Sequence, residues 1–207
     1  MLIKTQAAFL FIVLSLASGL AVFPSVAVAQ RRQASGASVP RYLLAEAERV
    51  SGDRFRTTAR TPAGVKVVAV TSPSRAMLDA IDSGFDNLFA AARRQGYRRS
   101  VYHRDYTVFI ARSDRAMTGD AYIPAIAVGA SQYAGTRYDR GGFIYAAGMV
   151  LDLDANAFII AEHTRDFGRA SDAVRFEGEH LVLFHNDRRR FEATADHSRG
   201  GAHPILK

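Results

Sequence analysis

Four of the six histidines in this 207-residue chain fall in its last 28 residues, at His180, His185, His197 and His203. The first two lie in Val174 to Phe191, VRFEGEHLVLFHNDRRRF, where acids and imidazoles are threaded among large apolar side chains. Wound as a helix at 100° per residue with Ala173 at zero, the segment puts Val174, Phe176, Leu181, Leu183, Phe184 and Phe191 on one arc. Glu177 at about 40°, His180 at about 340° and Asp187 at about 320° share that arc. A carboxylate and an imidazole on a buried stripe cost several kcal/mol unless they are paired, hydrogen-bonded or bound to a metal. On the same wheel Arg175, Glu179, His185, Asn186, Arg189 and Arg190 point away, and His180 and His185 stand about 140° apart, too far to share one ion.

The spacing Glu177-x-x-His180 lets two ligands on one helix reach one ion, with a third supplied by His197 or His203 beyond the helix. A zinc ion held by Glu177, His180 and one of those two histidines would keep an open position for water, lower its pKa toward about 7 and supply a hydroxide. Glu179 and Asp187 are then the candidate catalytic groups, as general base or as orienting partners of the ligands. The competing reading is structural: Glu177, His180 and a nearby arginine form a satisfied network, and His197 and His203 belong to a tail. Gly178 counts against the helix, at about 1 kcal/mol relative to alanine.

The elements that position this segment follow from periodicity. Pro40 opens a short helix over Arg41 to Val50, stopped by Ser51-Gly52. Val65 to Val70 (VKVVAV) is β-branched and bounded by turn residues, which makes it a buried strand. From Ser74 to Gln95 apolar residues recur at helical spacing from Met77 to Ala92, with Gly96 as the stop. Beyond it, Tyr106 to Ala111, Tyr122 to Val128, Phe143 to Leu151 and Ala157 to Ala161 read as four strands, with Pro124 expected at an edge or bulge. A helical tail begins near Asp172. The expected class is α+β: a mainly antiparallel sheet of about five strands packed by one long helix, with a His/Glu-bearing C-terminal helix.

The N-terminus has the three parts of a secretory signal: Lys4, an apolar run from Ala7 to Phe23, and Ala27-Val28-Ala29 before a polar start. The expected organisation is a leader over 1–29, a flexible lead-in over 30–40 and one domain over 41–207, with no stable membrane insertion once the leader is cleaved. The chain has no cysteine, which removes disulfides, thiolate zinc sites and iron–sulfur clusters. Without Lys4, 26 basic residues face 20 acidic ones, a net charge of +6, almost all of it arginine. The basic runs Arg31-Arg32, Arg93-Arg94, Arg98-Arg99 and Arg188 to Arg190 are scattered, so the expectation is a solvated surface attracted to anionic envelope polymers, with no nucleic-acid partner.

Several motifs fail on inspection. No Gly-Lys is followed by Ser or Thr, and no Gly-x-Gly-x-x-Gly opens a helix. Gly129-Ala-Ser131-Gln-Tyr133 lacks the second glycine of a serine elbow. Asp152, Asp154 and Asn156 copy the start of a calcium loop, but Ala157 and His163 stand where its glycine and glutamate are required.

The order strand, long helix, several strands, then a His/Glu-bearing helix resembles the core of the zincin metallopeptidases over Val65 to Phe191. Their His-Glu-x-x-His motif is absent. The inverted form His-x-x-Glu-His is matched only at Glu179 and His180, with Phe176 where the first histidine belongs. The resemblance implies Glu179 as base and His180 as ligand, against the wheel's preference for Glu177. The expected function is an exported zinc-dependent hydrolase acting on envelope peptide or polymer bonds. The alternative is a non-catalytic periplasmic or secreted binding module, with Tyr133 to Thr136 and the Arg140-Gly-Gly142 turn forming a partner edge.

Overall fold

The structure, a computed structural model, describes residues 38–118, 121–129, 143–164, 166–195 and 203–207. The expected leader and nearly all of the expected lead-in lie outside these residues, as do Tyr133 to Thr136, the Arg140 turn and His197. One compact unit runs from Val39 to Lys207. No helix among the described residues is long and apolar enough to cross a membrane.

The chain forms α1 (Arg41–Ser51), β1 (Thr57–Arg60), β2 (Lys66–Ala69), α2 (Arg75–Arg94), β3 (Thr107–Ala111), β4 (Asp114–Thr118), β5 (Ala121–Gly129), β6 (Phe143–Ala146), β7 (Gly148–Asp152), β8 (Ala157–Ala161), α3 (Phe167–Asn186) and α4 (Arg188–Thr194). The class is α+β, as expected. The main sheet is mixed, which corrects the mainly antiparallel expectation: its order is β1-β2-β3-β8-β7, with β2, β3 and β8 parallel and only the outer strands antiparallel. β4, β5 and β6 form a second, antiparallel sheet. Pro124 sits in the part of β5 that pairs only with β4, so locally it is at an edge.

Both faces of the main sheet are covered. Val67, Val108, Ile110, Phe158 and Ile160 face a core shared with α2 and α3, while Val68, Phe109, Ile159 and Ala161 face a second core shared with α1 and Phe55. That is why β3 and β8 are buried at every position rather than at alternate ones. The expected strand from Phe143 to Leu151 is two strands, divided at Ala147, so that β7 can join the main sheet as its end strand.

Helix α2 starts where the Ser74 side chain accepts from the Met77 amide. It packs on α3 at two glycines. A Cβ on Gly84 would stand 2.5 Å from the Ser171 carbonyl oxygen, and one on Gly178 2.5 Å from Leu88 Cδ2. Helix α3 begins at Phe167, five residues before the expected Asp172, because the Asp166 carboxylate caps it through the Arg169 amide. At its other end the Asp187 carboxylate accepts from the Arg190 amide and starts α4. The last residues of the chain return to α3, and Leu206 is buried in the main core.

Candidate functional site

Helix α3 has no solvent face along its middle: Gly178 to Leu183 are six consecutive buried residues. One side meets α2, a second meets the sheet, and a third is covered by residues 203–207. The two acids of the FEGEH segment therefore go different ways. Glu177 faces the end strand, where a Cβ on Gly148 would stand 2.8 Å from Glu177 Cγ and 3.0 Å from its Oε1. Glu179 faces the C-terminal residues.

Glu179 is fully buried and completely engaged. Its Oε1 accepts from the Arg175 guanidinium, one helical turn away, and from the Leu206 amide at 3.1 Å. Its Oε2 accepts from the Ile205 amide at 2.8 Å and lies 2.9 Å from His203 Nδ1. Arg175 spans the same clamp by donating to the Leu206 carbonyl at 2.7 Å. Burial by itself would raise the Glu179 carboxyl. The His203 and Ile205 hydrogen bonds, the Arg175 charge and the Leu206 amide outweigh it and hold the group below the ordinary carboxylate range.

Glu177 has the opposite environment. Burial against the sheet pushes its carboxyl up to about 8, so it carries its proton at neutral pH. Among the described residues no ion pair or side-chain hydrogen bond relieves that cost.

The histidines separate likewise. His180 is buried, with its ring 5.0 Å from the ring of His203 in an edge-to-face arrangement, and the Phe176 ring is also 5.0 Å from His203. His185 Nε2 lies 3.0 Å from the Leu153 carbonyl on another side of the helix. Asp187 is spent on structure: one oxygen caps α4 and the other accepts from the Tyr97 hydroxyl at 3.1 Å.

The expected site residues thus fall into groups. His180, His203 and Glu179 come together; Glu177 is turned to Gly148, and Asp187 to Tyr97. Among the described residues, no three His, Asp or Glu side chains are placed to hold one metal ion. The residue that sequence reasoning left out of the site altogether is Arg175, and Glu179 was placed on an outer face. Their i,i+4 spacing was the available signal.

No family model, no curated protein and no solved structure matches this chain.

Proposed function

We propose that this chain is an exported, non-catalytic interaction module of zincin-like architecture, in which a structural His/Glu network stands in place of a hydrolytic metal centre. The observation that carries the reading is the engagement of Glu179, whose two oxygens each meet two partners within the protein. A carboxylate so occupied is an anchor for the C-terminal residues, with no role left as a base toward substrate. The FEGEH segment supports the same view. Glu179 and His180 match the last two positions of a His-x-x-Glu-His pattern, and Phe176 stands where the histidine that would be the first ligand belongs. Among the described residues, no three donors are placed to hold one zinc ion.

One observation favours the hydrolase reading. A carboxylate on one ring nitrogen of a histidine is the way proteins orient metal-ligating imidazoles, and Glu179 so holds His203 next to His180. In that case His197 would complete the set. Elemental analysis of untagged protein after incubation with zinc and dialysis decides between them. The module reading expects far less than one zinc per chain, with His180→Ala changing stability alone; about one zinc per chain, lost in His180→Ala, overturns it.

A further inference from the structure

Two basic runs that are some 90 residues apart in the sequence meet at one end of the α2/α3 pair. Asn186 joins them: its Oδ1 accepts from the Arg98 and Arg99 amides, each at 3.0 Å, and its Nδ2 donates to the Arg99 carbonyl at 2.8 Å. The Tyr97 hydroxyl on Asp187 makes a second tie between the same stretches. Arg93, Arg94, Arg98 and Arg99 are thereby set beside Arg188, Arg189 and Arg190, and six of these seven side chains are exposed.

Among the described residues, nothing neutralises their charges. The two stretches contain seven arginines and two carboxylates, Asp187 and Glu192, a net of +5 in a sequence whose total is +7. Asp187 is already committed to Tyr97 and the Arg190 amide. No ion pair among the described residues involves any of the seven arginines. Those that are held are held by neutral groups: Arg93 by the Val101 carbonyl at 2.8 Å, Arg190 by the Ile205 carbonyl at 2.7 Å, and Arg188 over the Phe184 ring at 3.6 Å from its centroid. The three arginines held in this way lose little side-chain freedom on binding.

We propose that this surface docks a flexible anionic polymer bearing repeated phosphate groups. The inference names the partner of the module proposed above and to that extent rests on that reading. Arginine's planar fork matches phosphate oxygens two at a time. A bilayer would need apolar anchors, and here Phe89, Phe184 and Phe191 lie beneath arginines, while the exposed Tyr102 carries Arg104 at 5.4 Å from its ring centroid.

The test is a fluorescence titration of the full chain with long-chain inorganic polyphosphate. Five phosphate contacts on a flexible polyanion give a log–log salt slope of roughly −3.5, so affinity should fall on the order of 100-fold between 50 and 200 mM salt. Arg94→Glu/Arg98→Glu/Arg189→Glu should weaken binding at least tenfold, and Arg41→Glu/Arg56→Glu/Arg60→Glu, with the same change of net charge elsewhere, by less than threefold. Equal losses in the two variants overturn the proposal, as does tighter binding to phosphatidylglycerol vesicles or duplex DNA than to polyphosphate at equal charge concentration. The patch includes none of Glu177, Glu179, His180 or His203, so zinc in the protein would refute the module reading and leave this result standing.

Discussion

Replacing Glu179 by alanine should detach the C-terminal residues and cost much of the domain's stability. The substitution leaves the Ile205 and Leu206 amides without acceptors, the Arg175 charge without its counter-charge, and a hole at a fully buried position. Each orphaned buried amide costs about 1–3 kcal/mol, and removing one partner of a buried ion pair costs about 3–5 kcal/mol in total. These overlap, since all follow from one missing carboxylate, so the expected loss is about 3–5 kcal/mol. With an m-value of about 2 kcal/mol/M, the urea midpoint should drop by about 1.5–2.5 M. The amides of Ile205 and Leu206 should lose hydrogen-exchange protection before the sheet does. Acid offers a second readout. The folded Glu179 carboxyl titrates below its ordinary 4.5, so its contribution is complete above the unfolded value and disappears as pH falls through the lower folded one. The parent should therefore destabilise below about pH 4.5 more steeply than Glu179→Gln. An alanine variant within about 0.5 kcal/mol of the parent, with both tail amides still protected, would refute the anchor and the module reading with it.

Glu177 should behave in the reverse sense. Its folded carboxyl holds a proton up to about 8 while the unfolded one releases it near 4.5, so the contribution of Glu177 to stability is greatest below 4.5 and declines as pH rises across that window, at up to about 1.4 kcal/mol per unit. Glu177→Gln should flatten the decline, and melting curves of parent and variant that run parallel from pH 5 to 8 would exclude it. Gly84→Ala should cost about 1–3 kcal/mol, because the new methyl meets the backbone oxygen of Ser171, which cannot turn aside. Gly178→Ala meets only the end of the Leu88 side chain and gains about 1 kcal/mol of helix propensity, so thermal unfolding should show it markedly milder than Gly84→Ala. Gly148→Ala presses on Glu177 and on the Ile159 carbonyl, and Glu177→Ala in the same chain should recover part of its loss in denaturant titration.

Much of the fold was legible because its elements are locally consistent. Ser74 and Gly96 bracket α2, and the expected strand at Ala157 to Ala161 coincides with β8. The sheet's direction was misread although a signal was present. VVAV (Val67–Val70) and AFIIA are continuous apolar runs, not alternations, and a strand buried on both faces is the mark of parallel pairing under two covering layers. Turn chemistry around Asp152 to Asn156 describes one hairpin correctly, β7–β8, but says nothing about β2 and β3, which α2 connects. β1 and β4 were missed because TTAR and DRAMT carry too few large apolar residues to stand out, and each is held by pairing with the next strand across a short turn.

The site was legible as to place and not as to direction, and the reason lies in the wheel. A helical wheel sorts residues into wet and dry faces only where one side of the helix meets water; α3 is enclosed from several sides, so its polar residues are sorted by which neighbour they meet. Three sequence features already indicated enclosure. Gly178 in mid-helix makes sense only as a point of close approach, here to Leu88. Arg175 and Glu179 stand one turn apart as a charge pair that a second layer can cover. Ile205-Leu206 is an apolar pair that needs a place to be buried. Taken together these predict that the Ile205-Leu206 stretch folds back over the Arg175/Glu179 side of α3, which leaves Glu177, on the opposite side, as the acid next to the sheet. The energetic consequence is that one glutamate is ionised in the interior by four partners while its neighbour two residues away is kept neutral by having none among the described residues.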